Sequence, residues 1–243
     1  MREDIEQTIK NIIDTNFEVM DITTVPDLED TRLTFSNKGL RFEATTLYID
    51  MRGSTSILNN HNRTSVAKLH KAYFHIIVKI AKSLGGEVRS FNGDGMLVFF
   101  QGTNKNTLNN AVKSAMKMKY MLTQNETIKK KFEKYSLINF GIGIDDGKIL
   151  CSKVGLAGTN NRDLVWIGNA VNKSVKIGDN LESPYHIGIS SYVYSNLNDD
   201  VKYHVTEDNW GNEIKTDMWN YDSFTYNGKS EIYYYTSYHW SVI

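Results

Sequence analysis

The sequence is poor in cysteine and has no long apolar run. Its 243 residues include one cysteine, Cys151, so the chain cannot form an internal disulfide. A lone thiol is typical of a reducing compartment. No apolar run approaches the roughly 18 residues of a membrane span, and the acidic start MRED does not resemble a signal peptide. We therefore expect a soluble, cytoplasmic protein without a membrane partner.

The chain also lacks an excess of charge of either sign. Its 28 lysines and arginines balance 28 aspartates and glutamates. A nucleic-acid-binding arm or a polybasic membrane anchor would appear as a local or overall positive excess. We therefore expect no nucleic-acid partner, and any phosphate-binding site must be built locally.

Three segments of different texture are present. Residues 1–40 begin with apolar side chains at helical spacing, from Ile5 to Phe17, and continue as a polar connector. This amphipathic helix could dock on its own domain or on a partner subunit. Residues 41–183 have the compact alternation of a catalytic domain. Residues 184–243 are rich in aromatic side chains and are predicted to form a β extension packed on that domain.

Within residues 41–183, strand-like and helix-like patterns alternate. Asn92-Gly93 joins two short apolar runs and is a strong hairpin signal, because this dipeptide favours positive φ. Strands are predicted at 45–49, 87–91, 96–100, 137–144 and 148–154, and helices at 66–84, 108–122 and 170–177. This pattern predicts an α+β sandwich with one sheet.

Two aspartates stand at positions suited to metal binding. Asp50 follows an apolar strand and leads into the small-residue loop 51–55, while Asp94 follows the hairpin turn. If the hairpin pairs beside the Asp50 strand, the carboxylates converge and could hold two divalent cations about 4 Å apart. Each aspartate taken alone is more often a turn or cap residue. Asn172 and Lys176, four residues apart, share one face of a predicted helix, although this spacing is also common among solvent-facing residues.

Four motifs together resemble class III adenylate and guanylate cyclases. They occur in the family's order within residues 41–180: LYIDMRGST at 47–55, FNGDG at 91–95, GIDDGK at 143–148 and WIGNAVN at 166–172. The resemblance implies one mostly antiparallel sheet with helices packed on it. It also implies a two-fold homodimer with shared active sites, and the cyclisation of a nucleoside triphosphate with release of pyrophosphate.

The resemblance also implies residue roles. Asp50, Asp94 and the carbonyl oxygen of Met51 would bind two Mn²⁺ or Mg²⁺ ions. Asn172 would orient the ribose, and Lys176 would stand where relatives have a transition-state arginine. The remaining substrate contacts would be a phosphate cradle at Gly53, Ser54 and Thr55, and Lys148 at a phosphate-contacting arginine position. A lysine supplies charge at these arginine positions but not a bidentate fork.

The base-reading positions depart from the purine cyclases. Where adenine- or guanine-selective relatives have Lys and Asp or Glu and Cys, this chain has Ser90 and Val165. Valine forms no hydrogen bond and serine offers one hydroxyl, so neither purine pattern is present. Tyr48 lies two residues before Asp50, and the period of a strand puts both on one face. Its ring could narrow the pocket for a smaller base, or it could simply be a core tyrosine.

The combined pattern is similar to the pyrimidine cyclases of bacterial Pycsar anti-phage systems, through DMRGST at 50–55, the N-terminal helix and the ending EIYYYTSY at 231–238. That resemblance implies UTP as substrate, CTP as the alternative, and a downstream effector that binds the cyclic nucleotide. Three other readings remain: a purine cyclase such as an adenylate cyclase, a diguanylate cyclase, and a degenerate domain kept as a binding module. The hairpin sequence argues against the second, and the retained Asp50, Asp94 and Asn172 argue against the third.

Overall fold

The structure, a computed structural model, describes residues 1–135 and 137–242. The helices are α1 (Arg2–Asp14), α2 (Ser54–Asn60), α3 (Arg63–Ser83), α4 (Lys105–Thr123), α5 (Glu126–Phe132), α6 (Asn169–Asp179), α7 (Ser191–Ser195) and α8 (Asp199–Lys202). The strands are β1 (Glu18–Asp21), β2 (Lys38–Arg52), β3 (Gly86–Asn92), β4 (Gly95–Gln101), β5 (Asn139–Gly155), β6 (Arg162–Ile167), β7 (Ile187–Ser190), β8 (Tyr203–Glu207), β9 (Glu213–Asp217), β10 (Asn220–Tyr226) and β11 (Lys229–Thr236).

One large sheet organises the described residues. Its strand order is β10-β11-β7-β5-β2-β4-β3, with β1 added to β2 and β6 added to β5. The pairs β1–β2 and β5–β7 are parallel and the other pairs of this sheet are antiparallel. The α+β class with a mostly antiparallel sheet is therefore confirmed. Strands β8 and β9 form a separate hairpin.

The two faces of the sheet are covered by different elements. Along β2, Leu47, Ile49 and Met51 belong to a buried cluster with residues of α3 and α4. The alternate residues Leu40 and Phe42 belong to a second cluster, which includes Val171 of α6. This separation follows from the strand period of two, which sends neighbouring side chains to opposite faces. Tyr48 and Asp50 consequently lie on the face that carries α6.

The two strands predicted at 137–144 and 148–154 are one strand, so that prediction was wrong. β5 pairs with β2 almost without interruption, from Arg52 opposite Asn139 to Gly39 opposite Ser152. The turn-forming residues at 145–147 suggested a break. The long partner strand keeps them extended, and Asp146 accepts a hydrogen bond from the Thr45 hydroxyl at 2.8 Å.

The C-terminal residues add strands to the same sheet. β7 pairs with β5 on one side and with β11 on the other, and β10 completes this edge. The strand predicted at 201–205 begins instead with the last turn of α8 and continues as β8. The division of the chain at residues 183 and 184 stays a prediction.

Candidate active site

The β3–β4 hairpin brings Asp94 to Asp50. β4 pairs antiparallel with β2, with Met96 opposite Ile49, so the turn of the hairpin lies beside the end of β2. Gly95 lies at this junction: a Cβ atom there would be 2.9 Å from Asp50 Oδ1 and 2.6 Å from the Tyr48 hydroxyl. Only a residue without a side chain fits so close to these atoms. The convergence on which the metal prediction depended is therefore present.

The site concentrates negative charge in a half-buried place. Burial raises the pKa of the Asp50 carboxyl, and the nearby charge of Asp94 raises it further. Arg52 opposes this rise, while Asp179 at the end of α6 adds to it. A carboxylate that is costly to ionise beside other carboxylates is stabilised by a cation, because the cation supplies the missing positive charge.

The oxygen atoms present fit a divalent cation. Two carboxylates and the adjacent backbone carbonyl of Met51 are hard donors of the kind that Mg²⁺ and Mn²⁺ take, with substrate phosphates completing the set. Residues 1–135 and 137–242 hold no group of three or more His, Cys, Asp or Glu side chains that could ligate a metal. The pair Asp50 and Asp94 is thus a cation site that needs its substrate to be complete.

Gly53 turns the chain from β2 into α2. It has φ of 69°, in the left-handed region that glycine adopts without strain. The first backbone hydrogen bond of α2 runs from the Ile57 N–H to the Gly53 oxygen at 3.1 Å. The N–H groups of Ser54 and Thr55 precede it, so they have no acceptor inside the helix and can bind an anion.

Tyr48 lies beside the two carboxylates, with a protonated phenol. Burial raises its pKa to about 12, and the charge of Asp50 adds to the rise. The hydroxyl donates a hydrogen bond to Asp50. The ring therefore stands as a fixed wall next to the candidate metal ligand, half-buried rather than part of the closed core.

Asn172 and Lys176 are exposed on the outer side of α6. Gly178 and Ser174 face the sheet, because Cβ atoms built on Gly141 and Gly143 would collide with their backbone oxygens. Each predicted residue lies two positions earlier, which at 100° per residue is about 200° around the helix. The side chains thus point away from the sheet face on which their own chain's Asp50 lies.

The other predicted substrate residues lie elsewhere. Lys148 pairs with Glu43 at 3.8 Å, and Glu43 is seven residues along β2 from Asp50, roughly 23 Å at strand spacing. Ser90 lies on the edge strand β3, whereas Val165 lies on β6, which pairs with β5. One chain therefore does not bring Lys148, Ser90 and Val165 together around its own Asp50, and their roles stay predictions.

Two charged residues of the site were not predicted from the sequence. Arg52 lies 3.3 Å from Asp50 and 3.5 Å from Asp179. The period-two spacing of Asp50 and Arg52 was a signal that could have revealed the first contact. Nothing in the local sequence marks Asp179, because the packing of α6 on β5 brings it there.

The comparisons with known proteins agree with this geometry. A sequence model of the adenylate and guanylate cyclase catalytic domain matches residues 40–233. The chain belongs to this family. The guanylyl cyclase Cya2 superimposes with a TM-score of 0.65 at 21% identity, over 82% of this chain and 93% of that one. The adenylyl cyclase CyaB from P. aeruginosa has a TM-score of 0.63 at 20% identity, over 82% and 95% of the two chains.

Curated relatives extend the likeness over most of the chain. A uridylate cyclase from Burkholderia cepacia is 30% identical over 92% of this chain and 96% of its own length. A uridylate cyclase from Xanthomonas perforans is 32% identical over 83% of this chain and 86% of its own length. None of the helices in the described ranges is both long and apolar enough to span a membrane.

Proposed function

We propose that this protein is a uridylate cyclase, which converts UTP to 3′,5′-cyclic UMP and pyrophosphate. The observation that carries the proposal is the position of Tyr48 beside Asp50 and Asp94, with neither purine-reading pair at Ser90 and Val165. The uridylate cyclases from Burkholderia cepacia and Xanthomonas perforans support the same substrate.

In the proposed reaction the ribose 3′-oxygen attacks the α-phosphorus, its proton is lost, and the bond to the leaving pyrophosphate breaks. Divalent cations, Mg²⁺ or Mn²⁺, bound at Asp50, Asp94 and the Met51 carbonyl would lower the pKa of the 3′-hydroxyl and neutralise the leaving group. The N–H groups of Ser54 and Thr55 would hold the outer phosphates. Lys176 would stabilise the charge that builds on the α-phosphate, and Asn172 would orient the ribose.

A homodimer with shared sites follows from the geometry of α6. Asp50 and the pair Asn172 and Lys176 belong to opposite sides of this helix within one chain, so a single substrate does not reach both sets. Two copies related by a two-fold axis would place the outer side of α6 against the partner's Asp50 and Asp94. Each dimer would then contain two complete sites, and Lys148 and Val165 would serve the site that their own α6 completes.

Base selection is assigned to Tyr48. Its ring is held by the hydrogen bond to Asp50 and by the close approach of Gly95. A rigid wall beside the metal ligands leaves less room for a two-ring base than for uracil or cytosine. Uracil and cytosine differ in the groups at one ring position, and the likeness to uridylate cyclases favours uracil.

The decisive experiment is to incubate the purified protein with Mn²⁺ or Mg²⁺ and, separately, UTP, CTP, ATP and GTP. Cyclic products are identified by mass spectrometry. Cyclic UMP is expected to form fastest with both metals. A preference for CTP would make the protein a cytidylate cyclase, and a preference for ATP or GTP would overturn the pyrimidine assignment.

We also infer a biological role from the resemblance to Pycsar cyclases. The cyclic nucleotide would act in the cytoplasm as an anti-phage messenger, read by an effector with a cyclic-nucleotide-binding domain. Cyclic UMP should then rise after phage infection of cells that express the chain, and an Asp94→Ala variant should abolish both this rise and protection. Protection by the inactive variant would contradict the role.

A further inference from the structure

Helix α6 lies on bare backbone. A Cβ atom on Gly143 would be 1.9 Å from the Ser174 oxygen, and one on Gly141 would be 2.2 Å from the Gly178 oxygen. Helices usually keep their position by fitting side-chain ridges into grooves. Glycines offer no ridges, so the strand under α6 does little to prevent the helix from rotating or sliding. Other contacts must fix its position.

The C-terminal half of α6 is anchored by Arg52. Its guanidinium donates to the backbone oxygen of Gly178, and its Nε donates to the oxygen of Leu181 at 3.2 Å. These bonds fix one end of the helix only. Asn172 and Lys176 lie further toward the N-terminus, about 9 Å and 3 Å before Gly178 along the axis at 1.5 Å per residue.

The N-terminal half is anchored by the hairpin β10–β11. Lys173 Nζ lies 2.5 Å from Glu231 Oε2, and the side chains of this pair are only 21% and 33% exposed. The Tyr226 hydroxyl donates to Asn169 Oδ1 at 3.0 Å, and Lys173 Nζ lies 5.0 Å from the centre of the Tyr226 ring. An ion pair so shielded from water is screened less than one on the surface.

Lys173 is a sensitive place to hold this helix. It follows Asn172 directly and lies three residues before Lys176, so its tether limits the rotation that would swing both side chains. A rotation of about 15° moves an atom roughly 8 Å from the helix axis by about 2 Å. Misplacement by 1 Å can cost about 10²-fold in rate.

We propose that Glu231 is a positioning residue for the cyclisation. Through Lys173 it fixes the rotation and axial position of α6, and so sets where Asn172 and Lys176 meet the substrate. This inference rests on the proposed function of those two residues. It gives the C-terminal hairpin a part in catalysis, although none of its residues touches the substrate.

The first test compares Glu231→Gln and Lys173→Met with the wild-type protein in steady-state turnover of UTP. Each variant should lower kcat about tenfold and change KM by less than about twofold, because the helix acts on the transition state more than on binding. The double variant should be no slower than the single ones, since both remove the same tether. Asp199→Asn, which breaks the remote 2.7 Å pair with Lys215, is the matched control and should keep full kcat. Normal kcat in Glu231→Gln overturns the proposal.

The second test separates positioning from general stabilisation. In a Lys176→Ala background, Glu231→Gln should cost about threefold or less, because the cation that it positions is gone. An equal loss in both backgrounds contradicts the proposal. If Lys176→Ala alone turns over normally, the role of Lys176 fails. The positioning role is then decided by the kcat of Glu231→Gln, which must still fall through misplacement of Asn172.

A third variant guards against misfolding. Should Glu231→Gln lower Tm by more than a few degrees, Tyr226→Phe removes only the hydroxyl bond to Asn169 and keeps the ring. It should lower kcat several-fold with KM unchanged. Unchanged kcat in a folded Tyr226→Phe protein would leave the hairpin without a positioning role.

Discussion

The carboxylate of Asp50 and the guanidinium of Arg52 lie 3.3 Å apart on the same face of β2. Arg52 is also hydrogen bonded to backbone oxygens at the end of α6. The arginine therefore partly compensates the charge of Asp50 while it joins the candidate metal site to the helix that carries Asn172 and Lys176. Its compensation is incomplete, because burial and Asp94 still raise the pKa of Asp50.

The first prediction separates activity from stability at Asp50. Asp50→Asn should abolish turnover, because an amide is a poor ligand for a hard cation. The same change should raise Tm in a chelating buffer, since the buried carboxylate is costly to ionise and the amide is not. Product assays and thermal unfolding with EDTA check the two results. A variant that retains normal turnover would contradict the two-metal assignment.

The second prediction concerns Arg52 as an anchor. Arg52→Met removes the donor from the oxygens of Gly178 and Leu181, and this should lower the free energy of unfolding by about 1–3 kcal/mol. Urea denaturation measures the change. Arg41→Met is the comparison, because Arg41 pairs with Asp21 at the surface, where an ion pair contributes little. Equal stability of the two variants would show that Arg52 does not anchor α6.

The third prediction concerns base selection by Tyr48. Tyr48→Ala should widen the pocket and allow purine triphosphates to compete with UTP. Tyr48→Phe keeps the ring and loses only the hydroxyl bond to Asp50, so it should retain the pyrimidine preference. The measurement is kcat/KM for the four triphosphates. If Tyr48→Ala has the wild-type order of substrates, the tyrosine only packs.

The fourth prediction tests the shared sites. Asp50→Ala and Asn172→Ala homodimers should each be nearly inactive. In a mixed dimer one site carries both lesions and the other carries none, so that random pairing should restore activity to about a quarter of wild type. Co-expression with two affinity tags ensures and verifies mixing. Inactive verified heterodimers would refute sharing between subunits.

The fifth prediction concerns pH and His186. This buried imidazole stacks on Phe140 at 4.2 Å, its Nδ1–H donates to the Phe140 oxygen at 2.7 Å, and burial lowers its pKa to about 4. The unfolded chain takes up the proton near the ordinary pKa of about 6.5, whereas the folded chain does so only near 4. The contribution of His186 is therefore complete above pH 6.5 and is lost as the pH falls toward 4. The loss amounts to roughly 3 kcal/mol at 1.36 kcal/mol per pKa unit.

Measurement of the unfolding free energy of wild type and His186→Gln from pH 4 to pH 7 checks this result. The wild-type curve should be the steeper one. Asp145 and Asp146, whose pKa values burial raises to about 6, act in the opposite direction over part of this range. They are present in both proteins and cancel in the difference. Parallel curves would contradict the assignment to His186.

The sequence alone predicted the reacting groups and the α+β class. Asp50, Asp94, Asn172 and Lys176 stand in short motifs whose local order is readable without any tertiary contact. The hairpin at Asn92-Gly93 was equally readable, because its turn depends on the φ preferences of two adjacent residues. The period of two along a strand likewise assigns Tyr48 and Asp50 to one face, whichever strands pair beside them.

Tertiary structure alone decided how these groups are held and which of them can meet. β5 is one strand because β2 pairs along its whole length, and this pairing overrides the turn preference of residues 145–147. Arg52 reaches Gly178, and Lys173 reaches Glu231, across separations of 126 and 58 residues. Contacts at such separations depend on strand order and on the seat of α6 on glycine, and a local pattern carries no information about either. For the same reason only the folded chain shows that Asn172 and Lys176 face away from their own Asp50.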